Sequence, residues 1–335
     1  MILHSASVIR RRASNPKAAD NFARASFTKG SKAMFVHRPE GRRIRGIDPI
    51  VQATPYLMPM RCDAQVFLDH EVDYEPLMRY IAAKSREGIK ITFMEILIAC
   101  FVRGVSQTPE VNRFIMNRQF YNRTELTCSF TILMDTKDDS IEENTVKVFF
   151  DPSDTIFDVS ARVKTCLMHN RNPETPGFTY KLAHFAMSVP LLPNIIVGLI
   201  KLLDRYGLAP KALLDALPFH TSMFVTNMAS IGMMRVYHHI YNFGNTSLFF
   251  SLGNPRRSYT VDAGGKVIRK CSLPIGVTAD ERVCGGAVYA KLFATMKHCL
   301  AHPEELETPP EKVYYNEGAE YHVAKPEKVE TAAQE

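Results

Sequence analysis

Three histidines stand close together in the sequence, among aromatic and polar residues that could line a binding site. His220 belongs to the segment FHTS, and His238 and His239 belong to YHHIYNFGN. An imidazole titrates near neutral pH, so it suits the role of a general base. If the adjacent pair lies on a strand, its side chains point to opposite faces, and at most one of them should face a site. More often such histidines are hydrogen-bonded residues of a core or an interface.

Cys284, Arg256 and Arg257 are further candidates for chemistry or binding. Cys284 comes just before a helical pattern, and a helix N-terminus could lower the pKa of its thiol and make it a nucleophile. A small buried residue is the alternative that we favour. Arg256 and Arg257 could bind a phosphate group, although paired arginines at the end of a strand are usually only solvated.

Cysteine usage and hydropathy limit the class of protein. The seven cysteines are odd in number, widely spaced and free of any C-x-x-C pair, so neither a disulfide framework nor a zinc site is indicated. We therefore expect reduced thiols, a cytoplasmic location and no metal. With 46% hydrophobic residues the chain can bury a large core. The longest uncharged stretch, 185–200, is shorter than the ~18 apolar residues of a membrane span, so we expect no transmembrane segment.

Positive charge is concentrated at the N-terminal end. Residues 1–45 contain eleven Lys or Arg against Asp20 and Glu40, although the whole chain carries only +6. A nucleic-acid-binding protein should carry its basic surface on the folded part, so nucleic acid is not an expected partner. The composition of residues 1–33 is that of an organellar presequence, of a disordered tail, or of upstream residues that precede a true start at Met34; we favour the tail or the upstream residues over targeting.

The central part of the chain predicts an α/β domain that would hold these residues in place. Asp73 and Asp154 are predicted helix caps, and Thr92 with Glu95 has the sequence of a capping box. The turn DAGG at 262–265 predicts a hairpin. Strands are predicted at 61–71, 119–121, 126–134, 146–150, 222–227, 247–252, 257–261 and 266–277, and helices at 74–86, 92–107, 155–170 and 286–302.

The apolar stretch 178–217 is predicted to be helical in two or three pieces, because prolines and glycines interrupt it. One interpretation is a helical flap packed on the domain, and the other is a surface helix that lies on a membrane or a partner. Lys201, Asp204 and Arg205 are too few to form a basic membrane-facing stripe, so we favour core packing.

Three segments, in the same order and at compatible spacing, resemble the acyltransferase catalytic domain of 2-oxoacid dehydrogenase complexes. VTADERVCGGAVYAKLF resembles the signature D-H-R-x-x-D-G and its helix, with Asp280, Arg282 and Gly286 at matching positions. ITFMEILIACFVRGVSQTPEVNRF, beginning at Ile91, resembles the first long helix of the family with its P-E-V-N exit. SMFVTNMASIG, beginning at Ser222, resembles the F-T-I-S-N-L-G strand.

The resemblance implies a chloramphenicol acetyltransferase-like α/β fold, a two-layer mixed sheet with flanking helices. It also implies a homotrimer whose active sites lie in channels between subunits, with coenzyme A entering from one side and the acyl acceptor from the other. It covers residues 46–303, which we take as an acyltransferase-like catalytic domain. Residues 1–45 are then a basic, disordered N-terminal extension, and residues 304–335 a charged C-terminal tail of disordered composition.

The resemblance assigns roles to individual residues. The histidine of the family motif is the general base, and here that position is Glu281, while the motif aspartate that anchors the arginine is Gly285. A carboxylate is a useful base at neutral pH only where burial raises its pKa. Thr226 matches the hydroxyl residue that donates to the oxyanion of the tetrahedral intermediate, although a strand threonine bonded to backbone is an equal alternative.

Three functions follow from these observations. The first is a free-standing acyltransferase that moves an acyl group between coenzyme A and a thiol, hydroxyl or amine of a small-molecule acceptor. In this function, Arg256 and Arg257 would bind a coenzyme A phosphate, and His238 or His239 would meet Glu281 and Thr226 across a trimer interface.

The second function is that of a non-catalytic trimeric scaffold or ligand-binding relative that has lost the catalytic histidine. The third makes the apolar stretch 178–217 a dock for a lipid-like acyl chain. We expect no lipoyl-bearing domain, because the first 45 residues are too few to hold one.

Overall fold

The computed structural model describes residues 38–133, 143–170, 187–188 and 190–326, and within them a mixed seven-stranded sheet is the central element. The strands are β1 (Gly41–Arg43), β2 (Gln65–Asp73), β3 (Arg113–Met116), β4 (Gln119–Arg123), β5 (Leu126–Leu133), β6 (Glu143–Phe150), β7 (Met223–Asn227), β8 (Leu248–Leu252), β9 (Arg256–Val261) and β10 (Val267–Asp280). The helices are α1 (Pro49–Leu57), α2 (Tyr74–Arg86), α3 (Phe93–Gln107), α4 (Ile156–Asn170), α5 (Leu192–Arg205), α6 (Lys211–Ala216) and α7 (Gly286–Ala301).

The large sheet combines parallel and antiparallel pairs. Its order is β2–β10–β8–β7–β5–β6, and β9 forms a hairpin with the first half of β10. Strand β7 is parallel to both β5 and β8, while the other pairs of this sheet are antiparallel. A small second sheet has the order β1–β4–β3. The predicted fold class, a mixed sheet with flanking helices, is confirmed.

One face of the large sheet is covered by helices α2, α3, α4 and α7, which share one hydrophobic core with it. Thr92 and Glu95 form the predicted capping box at the start of α3, and Asp73 caps α2 as predicted. Helices α3 and α7 approach closely at Gly104, where an added Cβ would lie 2.5 Å from Leu292 Cδ1. The cap of α4 differs from the prediction, because Thr155 and Asp158 bond each other's backbone N–H groups while Asp154 pairs with Arg162.

The other face of the sheet is crossed by an extended segment, residues 233–242. Its backbone bonds to Asn254 at one end, to the Ser251 hydroxyl in the middle and to the Gln65 amide further along. Gly276 makes room for it, because a Cβ there would lie 2.8 Å from the carbonyl oxygen of Val236. The segment therefore runs along the sheet from the end of β7 toward the end of β10.

The folded region extends beyond the predicted limits of 46–303. Strand β1 lies before them, and after them Leu306 and Ala319 are buried against the domain. The side chain of Tyr321 bonds to Asn112 in the interior. No helix among the described residues is long and apolar enough to cross a membrane. Residues 1–33, which carry the presequence and tail interpretations, lie outside the described residues.

The prediction that the apolar stretch 178–217 packs in the core is wrong for helix α5, and residues 171–186 and 189 lie outside the described residues. Ile195, Leu199 and Leu202 on α5 are exposed, whereas Asp204 is its buried residue. The apolar composition of the stretch suited a core equally well, and only the structure reveals which side of the helix faces the domain.

Candidate functional site

The turn after β10 is fixed by a buried ion pair between Asp280 and Arg282. Arg282 Nε and Nη2 donate to the two oxygens of the Asp280 carboxylate at 2.8 and 2.6 Å, and the backbone N–H of Arg282 donates to the same group. Arg282 Nη1 donates to the carbonyl oxygen of Met58 at 2.7 Å. Replacing a buried ion pair with apolar residues often leaves stability unchanged. The clearest consequence of the Asp280–Arg282 ion pair is therefore that it fixes the position of the turn.

A pocket of about 340 Å³ opens beside this turn. Five of its lining residues are cationic and one, Asp204, is a carboxylate. The lining residues come from the segment after α1, the β3–β4 hairpin, helix α5, the end of the extended segment with the two residues that follow it, and the turn after β10. They are Pro59, Met60, Arg61, Ile115, Met116, Asn117, Arg118, Lys201, Asp204, Arg205, Asn242, Phe243, Gly244 and Arg282.

Arg61 lies buried in the wall of the pocket. Its Nη2 donates to the carbonyl oxygen of Ile115 at 2.9 Å and its Nη1 to that of Asn242 at 3.4 Å. Among the described residues no carboxylate forms a salt bridge with it, so a guanidinium with five N–H donors retains unused ones. Burial lowers its pKa to about 10, and the attraction of Asp280 offsets this only in part.

Asp204 belongs to a buried network beneath the pocket. Arg38 donates to its carboxylate and to Glu40, and His220 Nε2 lies 2.9 Å from Asp204 Oδ2. Burial alone would raise the pKa of Asp204, but the bonds from His220 and Arg38 outweigh it and lower the pKa. Burial lowers the pKa of His220 despite its bond to Asp204. The network therefore holds Asp204 ionised and His220 neutral, and His220 is a structural residue.

Three cations line the outer part of the pocket. Arg118 lies over the ring of Tyr56, 5.0 Å from its centroid, and Arg205 Nε donates to Asn117 Oδ1 at 3.1 Å. Lys201 is exposed. Within the described part of the chain, none of the three has a carboxylate partner.

Glu281, the predicted base, is exposed on the turn beside this pocket. Its backbone N–H donates to the carbonyl oxygen of Ala64 at 2.9 Å. Arg282, the cation next to it in the sequence, is engaged by Asp280 and not by Glu281. Within a single chain the Glu281 side chain is therefore not buried.

Thr226 lies on the sheet face that the helices leave open, and its hydroxyl donates to Met228 Sδ at 3.6 Å rather than to backbone. It pairs with Ser251, which pairs with Gly276 on β10. Asp280 is four residues further along β10, a displacement of about 13 Å along the strand and about 10 Å across two strand spacings. One chain therefore does not bring Thr226 and Glu281 together.

The two adjacent histidines lie on the extended segment between these two positions. The His238 ring stacks on Phe249 with centroids 4.5 Å apart, and its Nε2 is buried without a partner among the described residues. Burial lowers the pKa of His238. His239 is exposed and contacts the ring of Tyr241. As expected for neighbouring residues of an extended chain, only one of them faces the sheet.

The remaining candidates lie away from the pocket. Arg256 forms a salt bridge with Glu71, and Arg257 is exposed on the β9–β10 hairpin, at the Thr226 end of the sheet. Cys284 is buried, and burial raises the pKa of its thiol to about 12. Cys284 is therefore better described as a small buried residue, the alternative that we favoured, than as a nucleophile. Among the described residues no group of three or more His, Cys, Asp or Glu could hold a metal ion.

Solved structures similar to this chain include acyltransferase cores. A probable dihydrolipoamide acetyltransferase from Listeria monocytogenes is 13% identical with a TM-score of 0.48, over 81% of this chain and 98% of that one. A truncated catalytic core of the 2-oxoacid dehydrogenase complex from Thermoplasma acidophilum is 13% identical (TM-score 0.47; 78% and 97%). Chloramphenicol acetyltransferase is 11% identical (TM-score 0.44; 78% and 99%). These similarities concern the fold alone. No protein-family model and no curated protein matches the chain.

Sequence analysis named Arg282, Lys201, Asp204 and Arg205 for other reasons and did not predict that they line one pocket. Arg61 is bonded to Asn242 across 181 residues of sequence, and Arg38 to Asp204 across 166. A lone arginine within the apolar segment MPMRCDAQVF was the available signal for Arg61, because a charged residue in such a segment needs a buried partner or a ligand.

Proposed function

We propose that the protein transfers an acyl group between coenzyme A and a thiol, hydroxyl or amine of a small-molecule acceptor, at a site completed between chains of a homotrimer. Glu281 of one chain would be the base, and Thr226 of a neighbouring chain would donate to the oxyanion. Arg257, with Arg256 beside it, would bind the phosphates of coenzyme A. We propose a cytoplasmic location.

The observation that carries this proposal is the turn held by Asp280 and Arg282. Three hydrogen bonds to one buried carboxylate fix the backbone on both sides of Glu281, whose own side chain is left exposed. A reacting group has to be held within a fraction of an ångström for efficient catalysis. A rigid turn that presents a carboxylate with no hydrogen bond among the described residues fits this requirement.

The open face of the sheet supports contact with another chain. Met233, Met234 and Tyr237 on the extended segment and Phe67 on β2 are exposed large apolar residues on this face. Apolar surface of this kind is typical of protein interfaces. Thr226 is on the same face, so an apposed chain would bury its hydroxyl. Burial is also what Glu281 needs to act as a base.

The test is release of free thiol from acetyl-coenzyme A in the presence of panels of thiol, alcohol and amine acceptors. We expect Glu281→Gln and Thr226→Val each to abolish turnover without changing the oligomer, and Thr131→Val, at another strand hydroxyl, to serve as the control. If each site takes one residue from each of two chains, co-expressing the two inactive variants restores about a quarter of the sites by random assortment. If the wild-type protein turns over acetyl-coenzyme A and the Glu281→Gln variant retains this turnover, the proposal is contradicted.

The second candidate is binding without chemistry, and the exposed position of Glu281 favours it. No imidazole lies next to that carboxylate among the described residues, since His220 is hydrogen-bonded to Asp204 and the His238 ring stacks on Phe249. Saturable thermal stabilisation by coenzyme A, with no turnover for any acceptor, would favour this function. Binding of ligand at a hundredfold excess over Kd stabilises a protein by about 2.7 kcal/mol, which such a measurement detects.

A further inference from the structure

Helix α5 has a stripe of exposed apolar residues, Ile195, Leu199 and Leu202, on the side that faces away from the domain. The helix itself lies beside the basic pocket. Ile195, Leu199 and Leu202 are 64%, 53% and 53% exposed. A residue advances about 100° around an α-helix, so these three fall within an arc of about 60°. Asp204, the buried anchor of the helix, lies about 180° from Ile195. The stripe therefore points outward, and Lys201 lies between it and the pocket.

Helix α1 provides a second exposed apolar surface at the pocket. Ile50 and Leu57, which are seven residues apart and share a face, are 81% and 78% exposed. Met60, also exposed, lines the pocket itself, and Tyr56 lies beneath the guanidinium of Arg118. Helix α5 and the segment that follows α1 thus line the pocket, and both helices have exposed apolar side chains.

The charge between these apolar surfaces is positive. Arg118, Lys201 and Arg205 line the pocket without carboxylate partners among the described residues, and the buried Arg61 has unused donors. Arg38 is shared between Asp204, the carboxylate of the lining, and the buried Glu40, so it offsets only part of their charge, but the five cations of the lining outnumber Asp204. The exposed carboxylates beside the pocket, Asp63 and Glu281, are outnumbered.

We propose that this end of the molecule binds an anionic lipid surface: a phosphate or carboxylate of a lipid headgroup enters the basic pocket, while the apolar residues of α5 and α1 insert at the level of the headgroups. Apolar side chains flanked by Lys and Arg are the features of helices that lie in the membrane interface. The proposal does not depend on acyl transfer, because binding needs neither Glu281 nor Thr226.

A two-fold contact with a second copy of the chain fits this surface less well than a lipid surface. In a two-fold contact, the cations of one copy would face the same cations of the other, and like charges across an interface are unfavourable. An anionic membrane instead attracts each basic residue near it. The buried position of Arg61 also favours a group that enters the pocket over a flat protein surface.

The experiment is co-sedimentation of the full chain with vesicles of phosphatidylcholine, alone or mixed with phosphatidylserine. We expect binding to the mixed vesicles that weakens at high salt, since exposed charges are screened. The charge-reversal pair Lys201→Glu and Arg205→Glu should weaken it at least about tenfold, whereas the control pair Arg269→Glu and Lys291→Glu should not.

The apolar contribution is tested separately. Ile195→Gln with Leu199→Gln should weaken binding to the mixed vesicles about tenfold or more. The control is Val261→Gln with Val267→Gln, which alters two exposed, paired residues of the β9–β10 hairpin and should leave binding unchanged. All of these side chains are exposed, and far-UV circular dichroism confirms that each variant is folded.

Three results would overturn the proposal. One is equal binding to neutral and anionic vesicles, or none to either. Another is saturable stabilisation by inorganic phosphate, lost in Arg61→Met, without vesicle binding, which would make the pocket a site for a small soluble anion. The third is dissociation of an oligomer by the Ile195 and Leu199 substitutions without vesicle binding, which would make the stripe a contact between copies.

Discussion

Asp280→Asn should strongly destabilise the protein, because it leaves a buried guanidinium without its counter-charge. Asp280 and Arg282 are 1% and 4% exposed, and the carboxylate accepts three hydrogen bonds from Arg282. Breaking a buried pair by removing one partner costs about 3–5 kcal/mol, whereas replacing both partners with apolar groups can be nearly neutral. We expect a loss of about 3–5 kcal/mol for Asp280→Asn and a smaller loss for Asp280→Asn with Arg282→Met.

The assay is urea unfolding followed by far-UV circular dichroism, with tyrosine emission as the second probe because the chain has 13 Tyr and no Trp. A matched control is Glu75→Gln, which breaks the exposed pair of Glu75 and Arg79 and should cost less than about 0.5 kcal/mol. The double-mutant cycle isolates the coupling between Asp280 and Arg282. A loss below about 1 kcal/mol for Asp280→Asn, or strict additivity in the cycle, would refute the argument that the turn is held by this pair.

Three further predictions concern packing, pH and thiol chemistry. Gly104→Ala should destabilise by about 1–2 kcal/mol, because its Cβ meets a core leucine, whereas Gly198→Ala in open space should stabilise by up to about 1 kcal/mol; opposite signs in thermal melts check this. Because the pKa of His220 is lowered in the folded state, stability is present above about pH 6.5, the unfolded pKa, and falls as the pH drops below it. His220→Gln should therefore flatten the pH dependence of unfolding between pH 7 and 5 by up to about 1.4 kcal/mol per pH unit. Iodoacetamide at about pH 8 should modify exposed Cys62 and leave Cys284 intact, as mass spectrometry of peptides would reveal.

The elements that the sequence predicted well are those with local signals. Thr92 and Glu95 are three residues apart, and their reciprocal bonds are a property of that spacing. The hairpin turn at 262–265 depends on one aspartate side chain and a glycine in the left-handed region, Gly265. The geometry of such features is determined by residues a few positions apart, so they can be predicted without knowledge of the rest of the chain.

The pocket depends instead on contacts between distant parts of the chain. Arg61, Arg118 and Arg205 come from three different elements, and no periodicity relates them. The orientation of α5 was missed for a related reason. Its apolar residues fit a core or an external surface equally well, and the side that faces the domain is decided by the bond of Asp204 to Arg38, 166 residues away.

Glu281 stands where the motif that the sequence resembles has a histidine. This difference is compatible with an intact fold, because the turn does not depend on the side chain of residue 281. Its backbone is held by Asp280, by Arg282 and by the carbonyl oxygen of Ala64, while the Glu281 side chain projects into solvent. A carboxylate side chain at position 285 is likewise not needed, because Arg282 already has a carboxylate partner in Asp280. Stability therefore places little constraint on the identity of residue 281.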